Sequence, residues 1–243
     1  PRLYLFSFDK LDTCRFYKKG DEFEFNLILM QDFIQQLPFF LYALIALGES
    51  GVTQARIGYT IKKVETVSID GNTKNIYEND ILSAIDPNYI INDETIRKYI
   101  DDVFSNNRYS DILLKFITPF RTKANNKFSA DIDFQIFIKS VFRRWSLCYF
   151  YYDKTFIQPN FKKLLENIDT VKTIEKNIRW YDWTRYSTKQ KSEMMFGGLI
   201  GELKILLNDY DIKEALPYIL FCKFAGIGKN SVFGNGCFDL RMD

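Results

Sequence analysis

Histidine is absent from all 243 residues of the chain. Without an imidazole, neither a Ser-His-Asp nor a Cys-His acyl-transfer arrangement can be assembled within it. A structural zinc site also loses most of its ligand sets, because the four cysteines (Cys14, Cys148, Cys222, Cys237) show no close pairing. Buried free thiols in a reducing cytoplasm are the expectation for them. Long apolar runs are missing as well. The longest, Leu37 to Leu47, contains Pro38 and is too short to span a bilayer, so no membrane partner is expected. Clustered acids are scarce, and Asp131-Ile132-Asp133 has the spacing of helix caps and dipole partners. Neither a metal nor a cofactor is therefore expected. The chain opens with no signal-peptide pattern and no methionine. Pro1 followed by R-L-Y-L-F-S-F reads as the interior of a longer protein, so a preceding segment is expected.

Apolar residues make up 47% of the chain and aromatics 17%, ample for packed cores in one large or two small domains. A net charge of +2 does not by itself mark a nucleic-acid binder, so the placement of the basic residues has to decide.

The most unusual stretch is A-G-I-G-K-N-S-V-F-G-N-G-C-F-D-L, Ala225 to Leu240. Such a loop lets backbone N–H groups approach an anion closely, because glycine tolerates positive φ and has no side chain. It lies between a helical run (Leu216 to Phe224) and a strand (Gly236 to Met242). That order is the reverse of a Walker loop or a dinucleotide fingerprint.

Taken in order, Phe23, Phe25, Leu27 and Leu29 alternate with polar residues as in a half-buried strand. Phe40, Leu41, Leu44, Ile45 and Leu47 give a helix with Gly48 as its C-terminal cap, and Tyr59 to Val67 gives a second strand. Asp70-Gly71-Asn72 has hairpin chemistry and opens a surface excursion over 68–107. A strand follows from Asp111 to Ile117, stopped by Thr118-Pro119. Then comes a helix through Phe134, Phe137, Ile138, Val141, Phe142 and Trp145, capped by Ser129 or Asp131. A short helix from Asn160, a two-stranded hairpin within Arg179 to Met195, a strand at Leu199 to Leu207 and the final helix and strand complete the chain. From Asp111 onward the order is strand, helix, strand, strand, helix, strand. That predicts an α+β, ferredoxin-like unit over 108–243.

An internal repeat points to a second such unit. L-P-F-F-L-Y at Leu37 matches L-P-Y-I-L-F at Leu216, with Gly48 opposite Gly226 and Gly58 opposite Gly236 after a one-residue slip. Residues 1–67 would then be the second half of a first ferredoxin-like unit, incomplete on its N-terminal side.

Nucleic-acid binding is the function with the best local support. Arg179, Arg185, Lys189 and Lys191 are interleaved with Trp180, Tyr181, Trp183, Tyr186 and Gln190. Cations neutralise phosphates while aromatic faces stack on bases. Lys229, Asn230 and Ser231 of the glycine loop add donors for a further stretch of phosphate. An ordinary exposed hairpin with inward-packed aromatics is the bland alternative.

Several motifs together resemble the CRISPR-associated endoribonuclease family that cuts repeat RNA, the sixth-numbered Cas family. Gly226, Gly228, Gly234 and Gly236 reproduce its G-x-G-x-x-x-x-x-G-x-G loop. F-I-T-P-F-R (Phe116 to Arg121), R-Y-S-T-K-Q-K-S-E-M-M (Arg185 to Met195), G-G-L-I-G-E (Gly197 to Glu202) and the early L-P-F-F-L-Y-A-L are similar too. The resemblance implies two RRM-like units and binding of CRISPR repeat RNA or its precursor transcript. It also implies metal-independent cutting by 2′-hydroxyl attack, with an effector complex or a homodimer as further partners. Arg121, Arg144, Arg185, Lys189, Lys191, Gly226, Gly228, Lys229, Asn230, Ser231 and Gly234 are the RNA-binding candidates. Many members use a histidine on the first helix of the first unit, and this chain departs from that pattern. Tyr186 and Lys189 are the catalytic candidates left, and a non-catalytic repeat-RNA binder of the same fold is the alternative. An unrelated ferredoxin-like interaction domain is the third class.

Overall fold

A computed structural model describes residues 2–8, 17–52, 55–105, 109–124, 127–128, 131–152, 159–187, 191–208 and 210–242, without the side chains at 124, 127, 151–152 and 185–187. In chain order the elements are β1 (Tyr4–Ser7), β2 (Asn26–Leu29), α1 (Leu37–Ser50), β3 (Lys63–Val67), β4 (Thr73–Glu78), β5 (Ile81–Leu82) and α2 (Asp93–Phe104). There follow β6 (Asp111–Phe120), β7 (Lys123–Ala124), β8 (Lys127–Phe128), α3 (Phe134–Tyr152), α4 (Phe161–Leu164) and β9 (Lys172–Tyr181). The last are β10 (Thr184–Ser187), β11 (Ser192–Met195), β12 (Gly198–Leu206), α5 (Ile212–Ala225) and β13 (Phe238–Met242). They form two compact units, Pro1–Ile28 with Arg108–Asp243, and Leu29–Asn107.

In the first of these, an antiparallel sheet of order β13-β6-β12-β9 carries α3 and α5, the ferredoxin-like topology. Alternation along β6 turns Ile112, Leu114, Phe116 and Phe120 into the core, each at most 2% exposed. The register sets Phe116 beside Phe238, and Phe137 of α3 meets both rings edge-on at 6.1 and 5.1 Å. Burying one such side chain stabilises the fold by roughly 1.5–3 kcal/mol, so this aromatic cluster anchors α3 to the sheet.

Within this unit, local details differ from the sequence reading in several places. Asp133, not Ser129 or Asp131, caps α3: its carboxylate accepts from the Ile136 amide at 2.7 Å. Asp131 pairs with Lys176 instead, and Ser129 lies outside the described residues. Thr118-Pro119 does not stop β6, which runs to Phe120. Proline is tolerated there because β12 slips register opposite it and β13 pairs only as far as Phe116. The second strand of the sheet is β9, upstream of the basic hairpin, so Arg179, Trp180 and Tyr181 belong to an edge strand. Finally, α5 starts at Ile212, capped by Asp211, one turn before the expected Leu216.

The second compact unit holds α1, the β3-β4-β5 meander and α2. The expected hairpin forms at Asp70-Gly71-Asn72, with Gly71 at φ +86°. Asn92 and Thr95 close a capping box on α2, whose Ile96 and Ile100 are buried one turn apart. Helix α1 runs past Gly48 to Ser50 and is capped by Gly51 at φ +80°. Gly48 is needed for a close approach: a Cβ there would meet the Tyr59 carbonyl at 2.4 Å. The strand expected from Tyr59 begins only at Lys63, and its partner is β4. Phe39 and Tyr42 on α1 are 70% and 74% exposed. Together with the turn before it, the helical stretch Gln31–Ser50 is long and apolar enough by length and composition to cross a membrane, longer than the run visible in sequence.

Candidate nucleic-acid interface

The last residues of β6 hold the glycine loop in place. Thr118 is buried, and its hydroxyl donates to the Gly234 carbonyl at 2.6 Å while accepting from the Cys237 amide at 2.9 Å. The Pro119 carbonyl accepts from Gly236 (3.1 Å) and the Arg121 carbonyl from Lys229 (2.8 Å). Within the loop, Ile227 donates to Gly236 at 3.0 Å. A Cβ on Gly236 would sit 1.8 Å from the Ile227 carbonyl oxygen, and one on Gly228 would sit 2.6 Å from that of Arg121. Both glycines have φ +77°, so conformation and crowding each demand glycine.

This packing corrects the picture of an open cradle. The amides of Ile227, Lys229, Gly236 and Cys237 are bonded to protein oxygens. Gly226 caps α5 at φ +66°, Gly234 turns at φ +83° against the Phe8 ring, and Ser231 is buried. What the loop presents outward is the exposed Lys229 side chain, with half-buried Asn230 in a left-handed conformation beside it.

Arg121 ties the loop to the basic hairpin. Its Nη1 donates to the Met195 carbonyl on β11 at 2.8 Å, and its guanidinium lies 3.8 Å from the centre of the Phe128 ring. The hairpin root is packed by Gly197, where a Cβ would come 2.0 Å from the Asp182 carboxylate, and that carboxylate accepts from the Trp180 indole at 2.7 Å. Trp183, Phe196 and Phe233 then form an aromatic chain from root to loop, with centroids 5.1 and 5.6 Å apart. β10 and β11 pair Arg185 with Met194 and Tyr186 with Glu193. Lys191 is exposed at the turn, the side chains of Arg185 and Tyr186 are not described, and Lys189 lies outside the described residues.

Arg144 sits elsewhere. It is 8% exposed, and its Nη2 donates to the Ala225 carbonyl at 3.0 Å, neutralising the negative end of α5 where the glycine loop begins. Burial pushes the neighbouring Cys148 and Cys222 thiols up in pKa, partly opposed by the Arg144 charge.

The sheet face away from the helices is not an RRM-type platform. Its central outward positions carry cross-strand ion pairs, Lys115–Glu202 at 3.1 Å and Lys204–Asp111 at 2.8 Å, where an RRM would present stacking aromatics. Among the described residues, no three His, Cys, Asp or Glu side chains converge to hold a metal ion. The tyrosines with resolved shifts are all raised, which keeps their phenols protonated. Tyr59 and Tyr210 are raised by burial, and Tyr77 by its bond to Asp80.

Sequence reasoning missed Thr118 as the loop's anchor and Phe128 as the ring under Arg121. The first reads as a strand breaker, and the second falls in a two-residue strand too short to show a period.

A family model for the CRISPR-associated endoribonuclease Cas6 matches residues 114–238, just over half of the chain, and a second model, an N-terminal domain, matches residues 1–88. No curated protein matches the chain. Among solved structures, the Thermus thermophilus Cas6 TTHB231 product complex is similar at TM-score 0.56 and 14% identity, covering 99% of this chain and 82% of that one. A partial Cas6-RT-Cas1–Cas2 complex is similar at TM-score 0.57 and 13% identity, covering 93% of this chain and 37% of that one. At these identities the structures speak for the fold, and the family match speaks for descent. The glycine loop, the T-P-F-R segment that locks it and the hairpin root all lie within the matched region, and the chain belongs to the CRISPR-associated endoribonuclease Cas6 family.

Proposed function

We propose that the chain binds CRISPR repeat RNA at the end of the C-terminal sheet where the glycine loop and the β10–β11 hairpin meet. There it cuts the RNA without metal to release guide RNAs. One observation carries the reading: Thr118, Pro119 and Arg121 join loop and hairpin into one edge that presents Lys229 and Lys191 outward. Spaced cations on a rigid edge neutralise successive phosphates, while the ion-paired open face of the sheet does not compete for them. In the reaction, a ribose 2′-oxygen loses its proton and bonds to the adjacent phosphorus. The bond to the 5′-oxygen then breaks, and that oxygen takes up a proton, leaving a cyclic phosphate and a 5′-hydroxyl. Tyr186 and Lys189 stay the candidates for proton transfer, and their reference pKa values near 10 require the protein site to lower them against the opposite pull of the RNA phosphates. The precursor transcript is the substrate, an effector complex the recipient of the product, and the cytoplasm, where Cys148, Cys222 and Cys237 remain free thiols, the compartment.

The absence of histidine favours a second reading, repeat-RNA binding without cutting. Repeat RNA incubated with the protein in EDTA decides between them. Cutting that persists in EDTA and disappears when the scissile ribose is 2′-deoxy is the expected result. Tight binding with intact RNA would establish the second reading, and no binding at moderate salt would remove both.

A further inference from the structure

Phe128 is 40% exposed, yet three cations from three separate segments surround its ring. The Arg121 guanidinium, just past β6, lies 3.8 Å from its centre. The Lys229 ammonium, from the glycine loop, lies at 5.4 Å, and that of Lys123, from β7, at 5.6 Å. Among the described residues no carboxylate pairs with any of the three. Three like charges with no carboxylate partner among the described residues repel each other, and the ring's negative face offsets this only in part. An anion would complete the cluster. The part of the ring that Arg121 leaves exposed asks for a flat apolar surface as well, and one ligand class supplies both: a nucleotide.

We propose that Phe128 is a stacking platform for an unpaired RNA base, with Lys123 and Lys229 on the phosphates either side of it. Arg121 is held by its bond to the Met195 carbonyl and its contact with the ring, so an incoming base meets a pre-ordered arginine–aromatic pair. Stacking of this kind tolerates any base, because every base has a π-face. The platform therefore holds single-stranded sequence beside whatever the hairpin grips and does not choose it. This rests on the RNA-binding reading above and adds a place and a class of contact to it.

The test uses repeat RNA with unpaired flanks, 2-aminopurine being moved through the flanking positions, alongside the same RNA trimmed to its paired part. With wild-type protein, one flank position should lose fluorescence on binding. Phe128→Ala should abolish that quenching and weaken binding of the flanked RNA roughly 5- to 100-fold, with the trimmed RNA bound as before. Phe128→Trp should restore both, which excludes a folding defect. Lys123→Ala and Lys229→Ala should each lower the salt slope of binding by about 0.7. Equal binding and equal quenching by Phe128→Ala would overturn the platform while leaving RNA binding intact. Failure of wild-type protein to bind either RNA would overturn the RNA reading and the platform with it.

Discussion

Thr118 bonds both ends of the last turn of the glycine loop through one buried hydroxyl, donating to Gly234 and accepting from Cys237. Thr118→Val keeps the shape and removes both bonds, leaving the buried Cys237 amide without its partner and the Gly234 carbonyl with only the weak Cys237 thiol donor at 3.3 Å. Unfolding free energy should fall by about 1–3 kcal/mol, and RNA should bind more weakly as the loop loosens. Thr118→Ser should recover most of both. Denaturant titration with an RNA-binding isotherm on each variant measures this, and an unchanged Thr118→Val protein would dismiss the anchor. At this scale the sequence was legible where residue type dictates backbone, as at the loop glycines and Asp70-Gly71-Asn72. It was silent where tertiary packing chooses between equals. Asp131 and Asp133 are chemically identical cap candidates, and only the position of Lys176 on the neighbouring strand separates them. Arg144 looks like any basic residue on a helix until α5 closes over it.

Among the elements, α3, β12 and β13 announce themselves by apolar spacing, because each buries one clear face. β9 does not: as the edge strand it is exposed along nearly its whole length, so no period-two pattern marks it. The β10–β11 hairpin was legible as an element, but not its attachment, which runs through Arg121 and Gly197 from distant parts of the chain. If the hairpin touches the RNA backbone, Arg185→Ala with Lys189→Ala should weaken repeat-RNA binding. The dependence on log salt should flatten by roughly 0.7–0.9 per lost phosphate contact. Binding measured from low to moderate salt reads this directly, and an unchanged slope would place the hairpin off the phosphates.

The whole molecule should respond to pH in an unusual way. Asp111 is held below its usual pKa by Lys204, and Asp131 by Lys176. Burial pushes Asp239 up, but its pairing with Lys223 outweighs this and the net shift is downward. Carboxylates depressed on folding stabilise the native state above their unfolded pKa of about 3.9. They lose that contribution as pH falls through their lower folded values. With no histidine to titrate, stability should be flat between pH 8 and 5 and decline only below about pH 4. Thermal or urea midpoints across that range test it, and a decline already between pH 6 and 5 would contradict it.

Loop, hairpin and ring all hang from the four residues Thr118 to Arg121, and that arrangement bears on how such a protein can change its RNA preference. A substitution there disturbs every contact at once, so this segment is a poor place for variation to accumulate. Among the described residues, β10 and β11 pair with each other and join that segment through the Arg121 bond to Met195 at the hairpin root. New repeats can be accommodated by rewriting the outward side chains of that hairpin while the knot beneath it stays as it is.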